Sequence, residues 1–308
     1  MRKLLILLLV YSPAFGQQGL GLGYVLDNAL PVLSAVNDAD FNENISIGAF
    51  WKSFDNENAM IEALESGEIG LAIGVSPETF LDEIDAGANL QLVDIAAVYI
   101  EQWNCVLRSE IAESKAALFG LKIALPFGTG AEIVFQAQLD AMGGNVGSSI
   151  LRDRASVDAA AALVRGDADI ACGKGEALAR MREYGVDLMA AEPTFALGPR
   201  WFSGVVTTTE FATDHPEVIS GFIRQQQYLS GEQSAIALAA DMGEIDAEAG
   251  LAAIRILALE DKQNADWFGG GLQQYLINLA RLRAERGLFR GDIASIGAHV
   301  NPSFITAQ

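Results

Sequence analysis

Apolar residues follow two patterns along the chain, and the stretch GLAIGVSPETFLDEI at 70–84 contains both. Its first half, Leu71 to Val75, is a short continuous apolar run, which is typical of a buried strand. Its second half spaces apolar side chains three and four residues apart, as an amphipathic helix does. A serine as helix cap followed by a proline at the first helical position indicates a sharp start. The stretch therefore predicts a strand that turns directly into a helix.

The same pattern occurs twice. The segment NENAMIEALES at 56–66 predicts a helix capped by Asp55 and ended by Gly67, with the strand of 70–75 after it. SVDAAAALVR predicts a second helix, capped by Ser156 and ended by Gly166, with the strand DADIACG after it. Residues 65–74 align with 164–173 at a spacing of 99 residues, and this repeat indicates two lobes of similar build.

Between and after these modules, the chain predicts two crossings between lobes. WNCVLRS at 103–109 is a strand leaving the first lobe, and LKIALPFGTGAEIVFQAQLDAMGG at 121–144 is a strand, glycine turn and helix of the second. WFSGVVTTTEFATDHPEVI, starting at 201, is a returning strand followed by a helix that an Asp214-x-x-Glu217 capping box begins. A helix at 272–287, with Tyr275 and Leu276 on its apolar face, closes the first lobe.

These elements predict an α/β protein with two lobes, each an open, mostly parallel sheet flanked by helices. We expect residues 17–106 to form the first part of lobe 1, residues 107–200 to form lobe 2, and residues 201–308 to return to lobe 1 and add C-terminal helices.

The first 16 residues predict an export signal. Arg2 and Lys3 precede an apolar run that breaks at Ser12-Pro13, and small residues follow up to a cut near Gly16. The run is shorter than the roughly 20 residues that a membrane span needs. No cysteine follows the cut to carry a lipid, so we expect a free, exported protein.

Charge and composition exclude several classes of function. The chain has 308 residues and a net charge of −20, which the loss of Arg2 and Lys3 takes to −22, so it repels nucleic acid. Neither a metal-ligand spacing nor a catalytic motif occurs, and we expect a protein without cofactor, metal or enzymatic activity. Cys105 and Cys172 could pair or could be small core residues, and the unpaired interpretation is favoured.

Candidate chemistry lies at the strand-to-helix turns. A helix amino end exposes N–H groups and the positive end of the helix dipole, so it can bind an anion without a charged side chain. Ser76 and Pro77 form one such turn, and LPFGTGAEI contains a second with Thr129 in it. Ligands bind at the carboxyl ends of strands in open α/β sheets, so two facing turns predict a ligand clamp.

These motifs resemble the periplasmic substrate-binding proteins of ABC importers for taurine, aliphatic sulfonates and nitrate. The resemblance runs from about Gly23 to the HPEVI segment at 215–219, through WKSFD, ALESGEIGLAIGVSP, LFGLKIALPFGTG, LVRGDADIA and EFATDHPEVI. It implies a hinged, type II-like periplasmic-binding-protein fold. It also implies a periplasmic monomer that delivers one small solute to a permease and ATPase complex in the inner membrane.

The resemblance also implies a ligand site. The matching positions, together with candidates from the residues themselves, are Tyr24, Asp27, Phe54, Asp55, Ser76, Pro77, Trp103, Thr129, Glu132, Trp201, Phe202 and Ser203. Glu132 departs from the family pattern, because a carboxylate repels a sulfonate unless it faces the amine of a zwitterion.

Two ligand classes therefore stay open. Taurine or a related zwitterion fits the family, while Trp103, Trp201 and Phe202 with Asp27, Asp55 or Glu132 fit a cationic or quaternary amine. An enzyme of the same fold is a further alternative.

Overall fold

The structure is a computed structural model that describes residues 20–25, 48–99, 103–114, 120–143, 149–196, 201–230, 254–255 and 267–306. The predicted signal at 1–16 and the candidate Asp27 lie outside these residues. Within them, none of the helices combines the length and the apolar character that crossing a membrane requires.

The first sheet has six strands in the order β11-β4-β10-β3-β1-β2. Its strands are β1 Leu20–Val25, β2 Ala49–Phe54, β3 Leu71–Val75, β4 Leu90–Tyr99, β10 Trp201–Thr208 and β11 Ile254–Arg255. The elements that go with it are α1 Glu57–Glu65, α2 Pro77–Ala86, α8 Thr209–Asp214, α9 Pro216–Ser230, α10 Gly271–Glu285, a 3₁₀ helix Ile293–His299 and α11 Ser303–Thr306. One continuous apolar core joins this sheet to its helices.

The second sheet has five strands in the order β7-β6-β8-β5-β9. Its strands are β5 Asn104–Arg108, β6 Lys122–Leu125, β7 Ile150–Asp153, β8 Ile170–Gly173 and β9 Gly185–Asp187. Its helices are α3 Ser109–Ser114, α4 Gly130–Ala141, α5 Ser156–Arg165, α6 Gly175–Arg182 and α7 Ala191–Ala196. Both faces of this sheet are covered, because Cys105 and Val106, which are neighbours on β5, lie in different apolar clusters.

The two-sheet α/β architecture confirms the predicted fold class, with two refinements. Each sheet is mixed, since β10 in the first and β5 in the second enter antiparallel to their neighbours. The change of sheet falls between Tyr99 and Asn104, before the boundary predicted at 106/107, because β5 pairs with β8 and β9. In the first sheet, β10 begins at Trp201.

The predicted repeat is present in the backbone hydrogen bonds. After α1, the N–H groups of Glu68 and Ile69 both donate to the carbonyl of Ala63, at 2.9 and 3.3 Å. After α5, Asp167 and Ala168 donate in the same way to Ala162, at 2.9 and 3.1 Å. Gly67 and Gly166 both adopt positive φ, 76° and 77°, which glycine does at no steric cost. The 99-residue spacing therefore holds in three dimensions.

Three predicted helix caps are wrong by a short distance. Asn56, not Asp55, caps α1, since its backbone is extended and its Oδ1 accepts from the Ala59 N–H at 3.0 Å. Ser156 is the first residue of α5 rather than its cap, because the non-helical residue before the helix is Ala155, with ψ 151°. Asp214 ends α8, so the predicted capping box does not form.

Cys105 and Cys172 form a disulfide, which corrects the favoured unpaired interpretation. The two residues face each other directly in the antiparallel β5–β8 pair, and both are fully buried. The disulfide requires that these two strands be adjacent in the sheet. The sequence predicts each strand but does not show that they are neighbours.

Candidate functional site

The residues at one edge of the first sheet include several of the predicted ligand contacts. β1, β2 and β3 are parallel, so Tyr24, Phe54 and Ser76 stand at or just past their carboxyl ends. β10 runs the other way, which brings Trp201 and its two successors to the same edge, where Trp201 pairs with Tyr99 of β4. Ligands bind at this edge in open α/β sheets.

The second sheet has a corresponding edge. Thr129 lies in the turn that follows β6, and Lys174 directly follows β8, which is parallel to β6. Trp103 immediately precedes the antiparallel β5 and so lies at the same edge. We call the region between the two edges the cleft.

Gly130, the first residue of α4, lies where the two edges meet. A Cβ atom on Gly130 would come within 2.1 Å of a Trp201 ring carbon and 2.6 Å of a Trp103 ring carbon. The two tryptophans are only 2% and 6% exposed. Both rings therefore pack against the backbone at the start of α4, and only a residue without a side chain fits there.

At the first strand-to-helix turn, Ser76 caps α2 as predicted and Pro77 takes the first helical position. The Ser76 Oγ accepts from the Thr79 N–H at 3.3 Å. The Ser76 N–H and hydroxyl both donate to Oε2 of Glu57, at 2.9 and 2.7 Å. A carboxylate of the chain itself thus occupies the position at which an anionic ligand was expected.

The second turn is filled in the same way. Thr129 caps α4, with its Oγ1 accepting from the Ala131 N–H at 3.2 Å and donating to the Pro126 carbonyl at 2.8 Å. The Gly130 N–H donates at 3.0 Å to Oε1 of Glu78, which comes from α2 in the other lobe. This hydrogen bond crosses the cleft directly.

Two tyrosines lie close to these carboxylates. Burial raises the pKa of Tyr99; its hydrogen bond to Ser203 opposes the increase, and the nearby Glu57 adds to it. Burial raises the pKa of Tyr275 well above the ordinary tyrosine value, and Glu78 adds to that increase. Both hydroxyls are therefore protonated at neutral pH and can donate hydrogen bonds. Among the described residues, nothing accepts a hydrogen bond from the buried hydroxyl of Tyr275.

Glu132, the predicted partner of a ligand amine, has partners of its own. Its side chain is buried, and its Oε2 accepts from the Gly128 N–H at 2.9 Å. Its Oε1 accepts from Nε of Arg286 at 3.2 Å and forms an ion pair with the same guanidinium. Arg286 also lies over the Phe127 ring, 4.2 Å from its centroid. Glu132 therefore joins α10 of the first lobe to the turn before α4 of the second.

Arg283 strengthens the same contact. It is 7% exposed, donates from Nη1 to the Gly128 carbonyl at 2.9 Å, and forms an ion pair with Asp82 of α2. We call Arg283, Arg286, Glu132 and Glu78 the interlobe clamp. Together they hold α2 and α10 of one lobe against the start of α4 in the other.

The remaining predicted ligand contacts do not lie together in the structure. Tyr24 packs edge-on against Trp51, with centroids 6.2 Å apart, and Phe54 lies under the Lys52 ammonium at 4.9 Å. Asp55 is exposed at the end of β2. Phe202 points into the core of the first lobe, 5.9 Å from the Tyr275 ring.

Sequence reasoning missed Glu57, Glu78, Tyr99 and both clamp arginines. Glu57 and Glu78 stand in the first turns of α1 and α2, where acids are common because they complement the helix dipole, so they gave no distinctive signal. In the described part of the chain, no group of three or more histidine, cysteine or acidic residues could hold a metal ion.

Comparisons with known proteins place the fold. No family model and no curated protein matches the sequence. Crystal structures do match. The periplasmic aliphatic sulphonate binding protein SsuA from Escherichia coli has a TM-score of 0.65 at 17% identity, covering 93% of this chain and 98% of that one.

Two other structures match over a similar span. The ligand binding component of an ABC-type import system from Staphylococcus aureus, with zinc bound, has a TM-score of 0.62 at 13% identity, with coverage of 94% and 98%. The periplasmic nitrate-binding protein NrtA from Synechocystis PCC 6803 has a TM-score of 0.58 at 8% identity, with coverage of 94% and 87%. The chain therefore has the fold of the binding components of ABC-type import systems, as the sequence resemblance implied.

Proposed function

We propose that this chain is the extracytoplasmic solute-binding component of an ABC-type import system. The observation that carries the proposal is the cleft, in which the carboxyl-end edges of two α/β sheets meet at Gly130 and its two tryptophans. Two lobes joined by crossing strands can close over a small solute and exclude water from it.

The proposal includes the steps around binding. The signal at 1–16 exports the chain, the mature monomer binds one solute in the periplasm, and a permease with its ATPase receives it. Because the role is binding rather than catalysis, the solute leaves the protein chemically unchanged.

The solute class has two candidates. Taurine or a related sulfonate zwitterion is the candidate from the sequence, with the sulfonate at a helix amino end. A cationic or quaternary amine is the second, and one observation favours it: Glu57 and Glu78 already accept from the Ser76 and Gly130 N–H groups at the two helix ends.

A thermal-shift panel tests the proposal, because a ligand that binds only the folded state raises the melting temperature. The mature protein is tested with taurine, ethanesulfonate, nitrate, ethanolamine and tetramethylammonium. We expect saturable stabilisation by at least one solute, and mass spectrometry should recover that solute unchanged. A flat response to the whole panel, or conversion of the solute, would argue against a binding role.

A further inference from the structure

We infer that Glu78 is the specificity-determining residue of the cleft, with Glu57 in the same role at the second turn: their carboxylates occupy both anion-binding helix ends, so the cleft rejects anions and takes a solute recognised by a cationic group. This inference rests on the proposed function and assigns the solute class that the function leaves open.

The donors at the start of α4 are already used. The Gly130 N–H donates to Glu78, the Ala131 N–H to the Thr129 hydroxyl, and the Glu132 N–H to the Thr129 carbonyl at 3.1 Å. The turn before the helix is also satisfied, since the Phe127 N–H donates to Asp153 Oδ1 at 3.0 Å and the Gly128 N–H to Glu132. A sulfonate at this helix end would have to displace a carboxylate that the chain itself supplies.

At the start of α2, a carboxylate of the chain is again an acceptor, and here it is that of Glu57. Glu57 accepts from both the N–H and the hydroxyl of Ser76, and the Ser76 Oγ accepts from the Thr79 N–H. Pro77 has no N–H to offer. A carboxylate of the chain is thus an acceptor at each of the two helix starts, for Ser76 before α2 and for the Gly130 N–H at α4.

Fixed carboxylates change which solute the cleft favours. An arriving anion meets like charge at short range, whereas an ammonium is attracted by the same groups. The clamp arginines do not reverse this, because Arg283 pairs with Asp82 and Arg286 with Glu132. Lys174 holds its ammonium 5.0 Å from the centroid of the Trp103 ring, so a cation of the chain itself already occupies that ring face, and the cationic group of a solute is expected at the carboxylates instead.

Tyr275 supplies an independent observation. Its hydroxyl oxygen is buried, the charge of Glu78 contributes to the raised pKa of the hydroxyl, and within the described part of the chain the hydroxyl has no hydrogen-bond partner. A buried polar group without a partner is costly, so a group that accepts its proton is expected there when a solute is bound. A polar oxygen on an amine-bearing solute would meet that requirement.

The experiment compares Glu78→Ala and Glu78→Gln with Glu176→Gln. Glu176 is a matched control, since it is the second residue of α6 as Glu78 is of α2, and it is exposed. Calorimetric titration with ethanesulfonate and with tetramethylammonium, at fixed ionic strength, measures both preferences. Circular dichroism and the melting temperature of each unliganded variant verify that it is folded.

We expect Glu78→Ala to bind ethanesulfonate at least about tenfold more tightly than the wild type. Removing a unit charge at hydrogen-bond range changes the interaction by more than the roughly 1.4 kcal/mol that corresponds to a factor of ten. The same variant should lose affinity for tetramethylammonium, and Glu176→Gln should change neither value. If Glu78→Ala does not fold, Glu78→Gln decides, because it keeps the shape and removes the charge.

Equal ethanesulfonate affinity in the wild type and the folded Glu78 variant would overturn the inference. This result is distinct from failure of the proposed function, which would be a wild type that no solute in the panel stabilises. The ratio between the variant and the control needs no natural solute, and a folded Glu78 variant that does not bind ethanesulfonate would also overturn the inference.

Discussion

Replacing Arg286 with methionine is expected to open the cleft without unfolding either lobe. Arg286 is 34% exposed and its partner Glu132 only 8%, so the substitution leaves a buried carboxylate with the Gly128 N–H as its remaining donor. The hydrogen bond that Arg286 donates to Glu132, more than any other influence, raises the pKa of Arg286, so the guanidinium is charged at every working pH. The substitution also removes the cation from the Phe127 ring.

The expected magnitude follows from these contacts. A charge-assisted hydrogen bond contributes about 1.5–3 kcal/mol and a partly exposed cation–π contact about 0.5–1 kcal/mol. Solvent screening of the partly exposed arginine lowers the sum to about 1–3 kcal/mol. A difference of this size shifts the ratio of closed to open molecules by roughly 5- to 150-fold.

Small-angle X-ray scattering measures the change as a larger radius of gyration for Arg286→Met. Arg281→Met is the control, because Arg281 is exposed on the same helix and donates a hydrogen bond within that helix, to Asn278. Identical scattering from Arg286→Met and the wild type would refute the reasoning, as would an equal expansion of the control.

Three further predictions concern single features. Burial, followed by three neighbouring carboxylates, raises the pKa of Glu83, so the charged form of Glu83 opposes folding. Glu83→Gln should therefore raise the melting temperature by about 1–2 °C at pH 7. This gain should be lost as the pH falls through the raised pKa, because the wild-type carboxylate is then protonated. Replacing Cys105 and Cys172 with alanine should lower the free energy of unfolding by about 2–4 kcal/mol in denaturant titrations, and reductant should then have no further effect on the variant. Gly130→Ala should shift tryptophan fluorescence and weaken solute binding, whereas Gly48→Ala, where a methyl group meets nothing within 4 Å, should do neither; equal behaviour of the two variants would place the cleft elsewhere.

Local features of the fold were predictable from the sequence because they depend on neighbouring residues. The strand of 71–75, the Ser76 cap and the Pro77 start follow from a few adjacent side chains, and the structure has all three. The 99-residue repeat was also visible, since its apolar spacing and terminal glycines are local. The caps at Asp55 and Ser156 were each wrong by one residue, because the non-helical backbone angles that define a cap are not visible in the side-chain pattern.

The contacts that define the cleft were not predictable in this way. Glu57 reaches Ser76 across 19 residues, Glu78 reaches Gly130 across 52, and Arg286 reaches Glu132 across 154. Each depends on how two elements meet in space. Predicting the disulfide between Cys105 and Cys172 would have required the register of β5 on β8, and the sequence does not show that these strands are adjacent.

The carboxylates change the interpretation of the predicted site most. A serine-proline turn and a threonine-glycine turn were expected to receive an anion, and their local geometry agrees with that expectation. The acids that fill them come from α1 and α2, so the sequence pattern for an anion site and the charge at the site point in opposite directions. The chain can therefore share a fold with sulfonate-binding proteins and still bind a different class of solute.

The measurement that tests the central claim most directly is a calorimetric titration of the mature wild-type protein with tetramethylammonium and with ethanesulfonate. A binding cleft whose helix ends are occupied by Glu57 and Glu78 predicts saturable binding of the ammonium and at least about tenfold weaker binding of the sulfonate. Saturable binding of ethanesulfonate, with no binding of tetramethylammonium, would contradict the account.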